Sequence, residues 1–201
     1  MRWTLPNQLT ILRIILTPLF LYFMSGEGMQ DKMLGTIIFM IAAATDWYDG
    51  YIARRFNWIT RWGQFMDPLA DKILTAAALC IFAHLGYLYW WMVILMISRD
   101  FIITFLRIFA LQVGKSIVTS YLAKVKTFVE MVAIIFLLLY INLPQGELYH
   151  LISYPPPYSH WISVLFMGLT LLTIFTGIQY LIENRSHVQE IYNRILQLLG
   201  R

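Results

Sequence analysis

The sequence predicts an all-α membrane protein, a single domain over residues 1–201, with six transmembrane helices, both termini cytoplasmic and a polar cavity facing the cytoplasm. Three observations predict it. Of the 201 residues, 59% are hydrophobic and 13% charged, with a mean hydropathy of +0.65, whereas soluble domains hold roughly 45–50% apolar residues. Six apolar runs approach the roughly 20 residues needed to cross a ~30 Å hydrocarbon layer. Lys and Arg are concentrated in alternate loops, as the orientation rule for membrane helices requires.

The runs extend over Leu9–Met24, Met33–Ala53, Leu69–Leu85, Tyr87–Val113, Val118–Ile141 and Trp161–Ile182. The first follows Arg2 as a signal peptide would, but no Ala-x-Ala-like site succeeds it, so it reads as retained. No Pro, Gly or Ser-rich linker divides the chain, and there is no internal repeat. Cys80 is the single cysteine, so no intramolecular disulfide can form; it reads as a small buried hydrophobe.

The loop from Gly26 to Lys32 carries one lysine beside Glu27 and Asp31. The His84–Tyr89 connection carries no Lys or Arg, and the Pro144–His160 loop only Glu147. These three are expected to face outward. Arg2, Arg54, Arg55, Arg61, Lys115, Lys124, Lys126, Arg185, Arg194 and Arg201 all fall on the opposite, cytoplasmic side. The run Tyr154-Pro155-Pro156-Pro157-Tyr158 makes a stiff, non-helical loop. Between Glu183 and Arg201, Val188, Ile191, Ile195 and Leu198 recur at helical spacing, which reads as a short surface helix. The net charge of +4 is scattered between apolar runs, so anionic lipid or a phosphate-bearing substrate is expected and nucleic acid is not.

Against this background the stretch TDWYDGYIARRFNWITRWGQFMDPLADK, Thr45–Lys72, is anomalous, with four aspartates between two apolar runs. At about 100° per residue, Asp46, Asp49, Gly50 and Ala53 share one arc of a helix. Gly63, Asp67 and Asp71 recur at intervals of four and share a face of the next. If the two helices are antiparallel neighbours, the four carboxylates converge. Their mutual repulsion then demands a cation, and oxygen donors without His or Cys suit Mg²⁺ or a similar hard ion. Two such ions bridged by carboxylates form a clamp for displacement at phosphorus. Structural readings stand beside this one. Asp67-Pro68 has the form of a helix N-cap followed by proline, with a kink expected if the helix continues through Pro68. Arg54, Arg55 and Arg61 also serve as topology anchors.

The pattern Asp46-x2-Asp49-Gly50-x2-Ala53-Arg54-x8-Gly63-x3-Asp67-x3-Asp71 fixes eight residues over 26 positions. It resembles the signature of the CDP-alcohol phosphotransferases at every position. That resemblance implies six transmembrane helices, a homodimer, and transfer of a phosphoalcohol from a CDP-linked donor to an acceptor hydroxyl with release of CMP. It implies two divalent cations, Mg²⁺ or Mn²⁺, on Asp46, Asp49, Asp67 and Asp71, with Asp71 also acting as general base. Asp49, Gly50, Ala53, Arg54 and Gly63 are implied to bind the CDP portion, Arg54 at the pyrophosphate.

Two further stretches are similar to bacterial members of that family whose donor is CDP-diacylglycerol and whose acceptor is glycerol 3-phosphate. They are the opening Pro6, Asn7, Leu9, Thr10, Arg13 and Pro18, and the segment containing Arg99, Asp100, Arg107, Lys124, Lys126 and Thr127. Residues Ser120–Ala123 depart from that group, which more often has small residues and Gly-Lys there. The likeness implies an enzyme of the bacterial inner membrane, with its site on the cytoplasmic side and its acceptor phosphate held by Arg107, Lys124 and Lys126, with Arg99 behind them. Lys115 reads as a topology determinant that snorkels. Asp100 is expected either to pair with an arginine or to order part of the site, with its exact partner not readable, and Glu130 to be a buried polar partner. Asn7, Thr10 and Arg13 either line the cavity or form an amphipathic first helix. Other acceptors (inositol phosphate, serine, phosphatidylglycerol) use the same chemistry, and a divalent-cation carrier is the alternative of a different class.

Overall fold

The computed structural model describes residues 5–56, 61–112, 121–143 and 160–185, and every regular element among them is α-helical. The helices are α1 Leu5–Met24, α2 Met29–Phe56, α3 Arg61–His84, α4 Trp90–Gln112, α5 Tyr121–Ile141 and α6 His160–Glu183. Each corresponds to one of the six apolar runs. The turn expected at 57–60, Lys115, the proline loop at 154–158 and the surface helix beyond 185 lie outside the described residues.

Several boundaries extend past the apolar runs. α1 starts at Leu5, with Pro6 in its first turn, where a missing N–H costs nothing. α2 continues through Asp46 and Asp49 to Phe56. α3 begins eight residues before its apolar run and continues through Pro68. Asp67, Asp71 and Lys72 are therefore helical, because tertiary partners described below satisfy them. The α3–α4 connection is closed by a Schellman motif: the Tyr87 N–H donates to the Phe82 carbonyl at 2.9 Å and the Gly86 N–H to that of Ala83 at 3.1 Å. Gly86 has φ of 82°, the left-handed conformation that this cap assigns to glycine.

α1 packs along both α2 and α3; α3 packs on α4, and α6 on α4 and α5. The buried face of α1 is a single stripe at helical spacing, Pro6/Asn7, Thr10, Arg13, Thr17, Phe20 and Met24. Its polar half precedes its apolar half, and this order alternates along the chain. In α2 the core residues Phe39 and Ala42 come first and Asp46 and Asp49 last; in α3, Asp67, Asp71 and Lys72 precede Leu74, Ala78 and Phe82. Met92 and Met96 precede Asp100 in α4, Lys126 and Glu130 precede Ile134 and Leu138 in α5, and Phe166 precedes Thr176 in α6. The apolar members form one cluster, and the charged members pair with one another as described below. Successive helices therefore run in opposite directions, with the apolar core towards one end of the bundle and the ionic groups towards the other. Aromatic contacts lock the apolar end: Phe20 and Phe39 lie 5.3 Å apart, and Tyr140 meets Trp161 edge-on at 5.3 Å.

The outward faces are apolar. Ile15 and Tyr22 on α1, Ile94 and Ile102 on α4, Phe128 and Phe136 on α5, and Leu171, Phe175 and Ile182 on α6 are all exposed. α1 and residues Trp161–Glu183 are long and apolar enough to cross a membrane. The other four helices carry more charge, part of which forms the ion pairs described next.

Candidate active site

The four aspartates singled out in the sequence lie in the last turns of α2 and the first turns of α3. These helices touch each other only slightly, and α1 packs against both. The pairing expected between α2 and α3 is thus replaced by a wedge, and the side chains that connect the acids come from α1.

Arg13 is the central one. Its side chain is 0% exposed; Nη2 donates to Asp49 Oδ2 at 2.7 Å, and Nη1 lies 2.5 Å from Asp46 Oδ1. The Asp46 contact lacks hydrogen-bond alignment, so it acts by charge. Asp49 is buried, while the Asp46 side chain is 40% exposed and available to solutes. One turn earlier, Thr10 Oγ1 reaches Asp67 Oδ1 at 2.5 Å and also the Pro6 carbonyl at 3.0 Å. Thr17 Oγ1 donates to the Arg13 carbonyl at 2.9 Å. Asn7 is buried one turn before Thr10.

Asp46 lies within electrostatic range of Asp67, Asp71, Arg13 and Lys72, and Asp49 within range of Asp46, Asp67 and Arg13. Among the described residues, no three Asp, Glu, His or Cys side chains surround a common point at ligation distance. The acids are therefore gathered as a field around Arg13. Their donor chemistry, carboxylate and hydroxyl oxygen only, fits a hard cation such as Mg²⁺. Gly63 is buried and Gly50 partly so. Ala53 and Arg54 lie on the last turns of α2, but their side chains are outside the described set.

A second ionic cluster joins α3 to α4, α5 and α6. Asp100 is its hub: Oδ1 accepts from Lys126 Nζ at 2.6 Å and from Arg99 Nη1 at 3.0 Å, and Oδ2 accepts from Lys72 Nζ at 3.1 Å. Lys126 Nζ also donates to Glu130 Oε2 at 2.9 Å, and Arg99 Nη2 to Thr176 Oγ1 at 3.0 Å. Lys72 Nζ lies 3.7 Å from Asp71 Oδ2, so the cluster borders the acidic site. Asp100 has an arginine partner, as the sequence suggested, and two lysines besides; Glu130 is the buried polar partner of Lys126.

The basic residues divide by burial. Lys126 is fully buried and engaged by two carboxylates, and Arg99 is held between Asp100 and Thr176. Each therefore has a carboxylate partner in place, as a buried ammonium or guanidinium requires. Arg107 and Lys124 are exposed, and Arg107 lies within electrostatic range of Tyr180.

The family model for CDP-alcohol phosphatidyltransferase matches residues 3–180, which takes in α1 to α5, nearly all of α6 and both ionic clusters. The chain belongs to that family. Among similar CDP-alcohol phosphatidyltransferases is the CDP-diacylglycerol–glycerol-3-phosphate 3-phosphatidyltransferase of Bacillus subtilis (strain 168). It is 37% identical over 195 residues, covering 90% of this chain and 95% of the relative. Proteins of the same description from Salmonella typhimurium (strain LT2) and Escherichia coli (strain K12) are 36% and 34% identical, each covering 92% of this chain and 97% of the relative. In this member of the family, sequence reasoning left Arg13 and Thr10 undecided and missed Lys72 altogether. The signal was present for Arg13: a guanidinium in the middle of an apolar run must find a carboxylate. Lys72 had none, since a lysine beside an aspartate at a helix start reads as a surface pair.

Proposed function

We propose that this protein is a membrane enzyme that transfers the phosphatidyl group of CDP-diacylglycerol to glycerol 3-phosphate, giving phosphatidylglycerophosphate and CMP. The observation that carries it is the gathering of Asp46, Asp49, Asp67 and Asp71 around Arg13 and Thr10 at the polar end of the bundle. Full-length similarity to relatives whose names state this reaction supports the donor and the acceptor.

Asp46, Asp49, Asp67 and Asp71 would hold two divalent cations, Mg²⁺ or Mn²⁺, which supply charge neutralisation at the pyrophosphate and at the leaving CMP. The chain's own groups do the rest. Arg13 keeps Asp46 and Asp49 side by side despite their like charge, and Thr10 fixes the orientation of Asp67. Asp71 accepts the proton of the attacking glycerol hydroxyl. The hydroxyl oxygen forms a bond to the lipid-bearing phosphorus as the bond from that phosphorus to the CMP oxygen breaks. Gly50, Ala53 and Gly63 leave room for the cytidine, and Arg54 holds the pyrophosphate. Arg107 and Lys124, exposed near the ends of α4 and α5, receive the phosphate of the acceptor.

The exposed apolar faces of α1, α4, α5 and α6 suit contact with acyl chains. All six helices span the bacterial inner membrane, with the ionic end and both termini on the cytoplasmic side, where Lys and Arg concentrate. The donor's acyl chains then stay in the bilayer while its headgroup meets the acids from the side. Two copies form the homodimer.

The test is purified protein in lipid with Mg²⁺ and CDP-diacylglycerol, offered glycerol 3-phosphate, serine, inositol phosphate and phosphatidylglycerol in separate reactions. CMP release is expected with glycerol 3-phosphate alone, and D71N should abolish it while remaining folded in the membrane. Release with a different acceptor would retain the chemistry and reassign the substrate. Metal uptake into vesicles without any CMP would overturn the enzyme reading.

A further inference from the structure

We propose that the buried cluster centred on Asp100 is the device that sets the rotation of α3 and so aims Asp71 into the site. Lys72 and Asp100 are then positioning residues for the reaction proposed above, on which this inference rests.

Residues 71 and 72 are neighbours on α3, so their side chains leave the helix about 100° apart. Whatever fixes the direction of Lys72 therefore fixes that of Asp71. Lys72 is fixed firmly: its Nζ is bonded to Asp100 Oδ2 at 3.1 Å, with both side chains largely buried. Asp100 cannot swing, because Oδ1 is occupied by Lys126 and Arg99. Those two are held in turn, Lys126 by Glu130 one turn along α5 and Arg99 by Thr176 on α6. Gly177 gives Arg99 its room, since a Cβ at that position would lie 3.1 Å from Arg99 Cγ. The chain of contacts thus refers Lys72 to three other helices.

α3 needs such a reference at this end. Its apolar residues Leu74, Ala78 and Phe82 anchor it in the core further along, but the turns carrying Asp67 and Asp71 precede that anchor. Polar ties among the described residues hold those turns, Thr10 to Asp67 from α1 and Asp100 to Lys72 from α4. With Asp71 included, the three cations Lys72, Arg99 and Lys126 balance the three acids Asp71, Asp100 and Glu130, and Lys72 lies between Asp71 and Asp100.

The experiment compares K72M, K72R, D100N and the double variant K72M/D100N, measuring CMP release per folded protein and melting temperature. A misplacement of about 1 Å can cost a hundredfold in rate, so K72M and D100N are expected to lower kcat by roughly tenfold to a hundredfold. KM for both substrates should stay within about twofold, the signature of an interaction that matters at the transition state. The double variant should be no slower than the slower single one, because both changes cut the same tie, and K72R should restore most of the rate. A lowered melting temperature with unchanged kcat per folded protein, or losses that multiply in the double variant, would overturn the proposal.

A readout independent of turnover follows the aim of position 71 directly. In a C80S background, D71C is labelled by a water-soluble thiol reagent, and adding K72M should change the labelling rate while adding K72R should not. Equal rates in all three would defeat the inference even in a protein that releases no CMP. An inactive wild type with a K72M-sensitive labelling rate would instead defeat the proposed reaction and leave the positioning intact.

Discussion

Arg13 and Asp49 form a buried ion pair at 2.7 Å between α1 and α2, and the same guanidinium lies 2.5 Å from Asp46. One cation from the first helix thus holds two acids of the second, on a helix face that also carries Asn7, Thr10, Thr17 and Phe20. The two terminal nitrogens divide the work: Nη2 donates a hydrogen bond to Asp49, while Nη1 brings its charge to Asp46.

Replacing Arg13 should therefore cost both stability and activity. R13M leaves Asp49 buried and unpaired, a loss of about 3–5 kcal/mol for breaking one side of a buried pair. R13K retains the charge but replaces two separate nitrogens with one, which changes the spacing of Asp46 and Asp49, so it should recover melting temperature more fully than CMP release. Thermal melting in detergent beside a turnover assay checks both, and full activity in R13K would contradict the need for two separate nitrogens.

Thr10 makes a smaller, separable contribution. T10V keeps the shape of the side chain and removes the hydroxyl that meets Asp67, at about 1 kcal/mol for a typical hydrogen bond and more where the acceptor is charged. Because Asp67 then loses orientation while retaining its charge, kcat is expected to fall further than the melting temperature suggests, and T10S should restore it. A T10V enzyme with wild-type kcat would remove Thr10 from the site.

Arg107 and Lys124 supply the test of acceptor binding. Both are exposed, so R107Q and K124Q should fold normally, with each raising KM for glycerol 3-phosphate by roughly tenfold, the scale of one lost charge-assisted hydrogen bond. KM for CDP-diacylglycerol should not move. The same substitutions at Arg99 or Lys126 should instead destabilise the protein, because their partners Asp100 and Glu130 are buried. Steady-state kinetics with each substrate varied in turn distinguishes the two sets.

The contrast between those two sets shows what the sequence can and cannot convey. All six helices were legible because apolar length is a local property, and so was the chemical type of the acids at 46, 49, 67 and 71. The apolar run of α3 starts only at Leu69, but the spacing of Gly63, Asp67 and Asp71 already places them on a helix, and α3 begins at Arg61; what was hidden were the partners, Thr10 and Asp100, distant in the chain, that satisfy Asp67 and Lys72. For the same reason the carboxylate partner of Lys126 was hidden. A lysine near a predicted helix end looks solvent-facing until α4 is seen to bring Asp100 to 2.6 Å from it. The wedge of α1 between α2 and α3 was equally hidden, since a short connection suggests adjacency and nothing in the chain says which helix intervenes.

Gly177 poses two opposed effects whose balance can be measured. Alanine at a helix interior is favoured over glycine by about 0.8–1.0 kcal/mol, and a new Cβ would meet Arg99 Cγ at 3.1 Å, tighter than ordinary contact. That neighbour is the stem of a flexible side chain, so it can retreat by a few tenths of an ångström, and G177A should leave the melting temperature nearly unchanged. The retreat acts on Arg99 Nη2, whose bond to Thr176 Oγ1 is 3.0 Å long. G177V places a branched side chain against the same stem and, with its poorer helix propensity, should lower the melting temperature clearly. T176V should lower it by about 1 kcal/mol equivalent through the lost hydrogen bond. Combining G177V with T176V should then add little, because both release Arg99 from α6; strictly additive losses would show that glycine at 177 serves some contact other than Arg99.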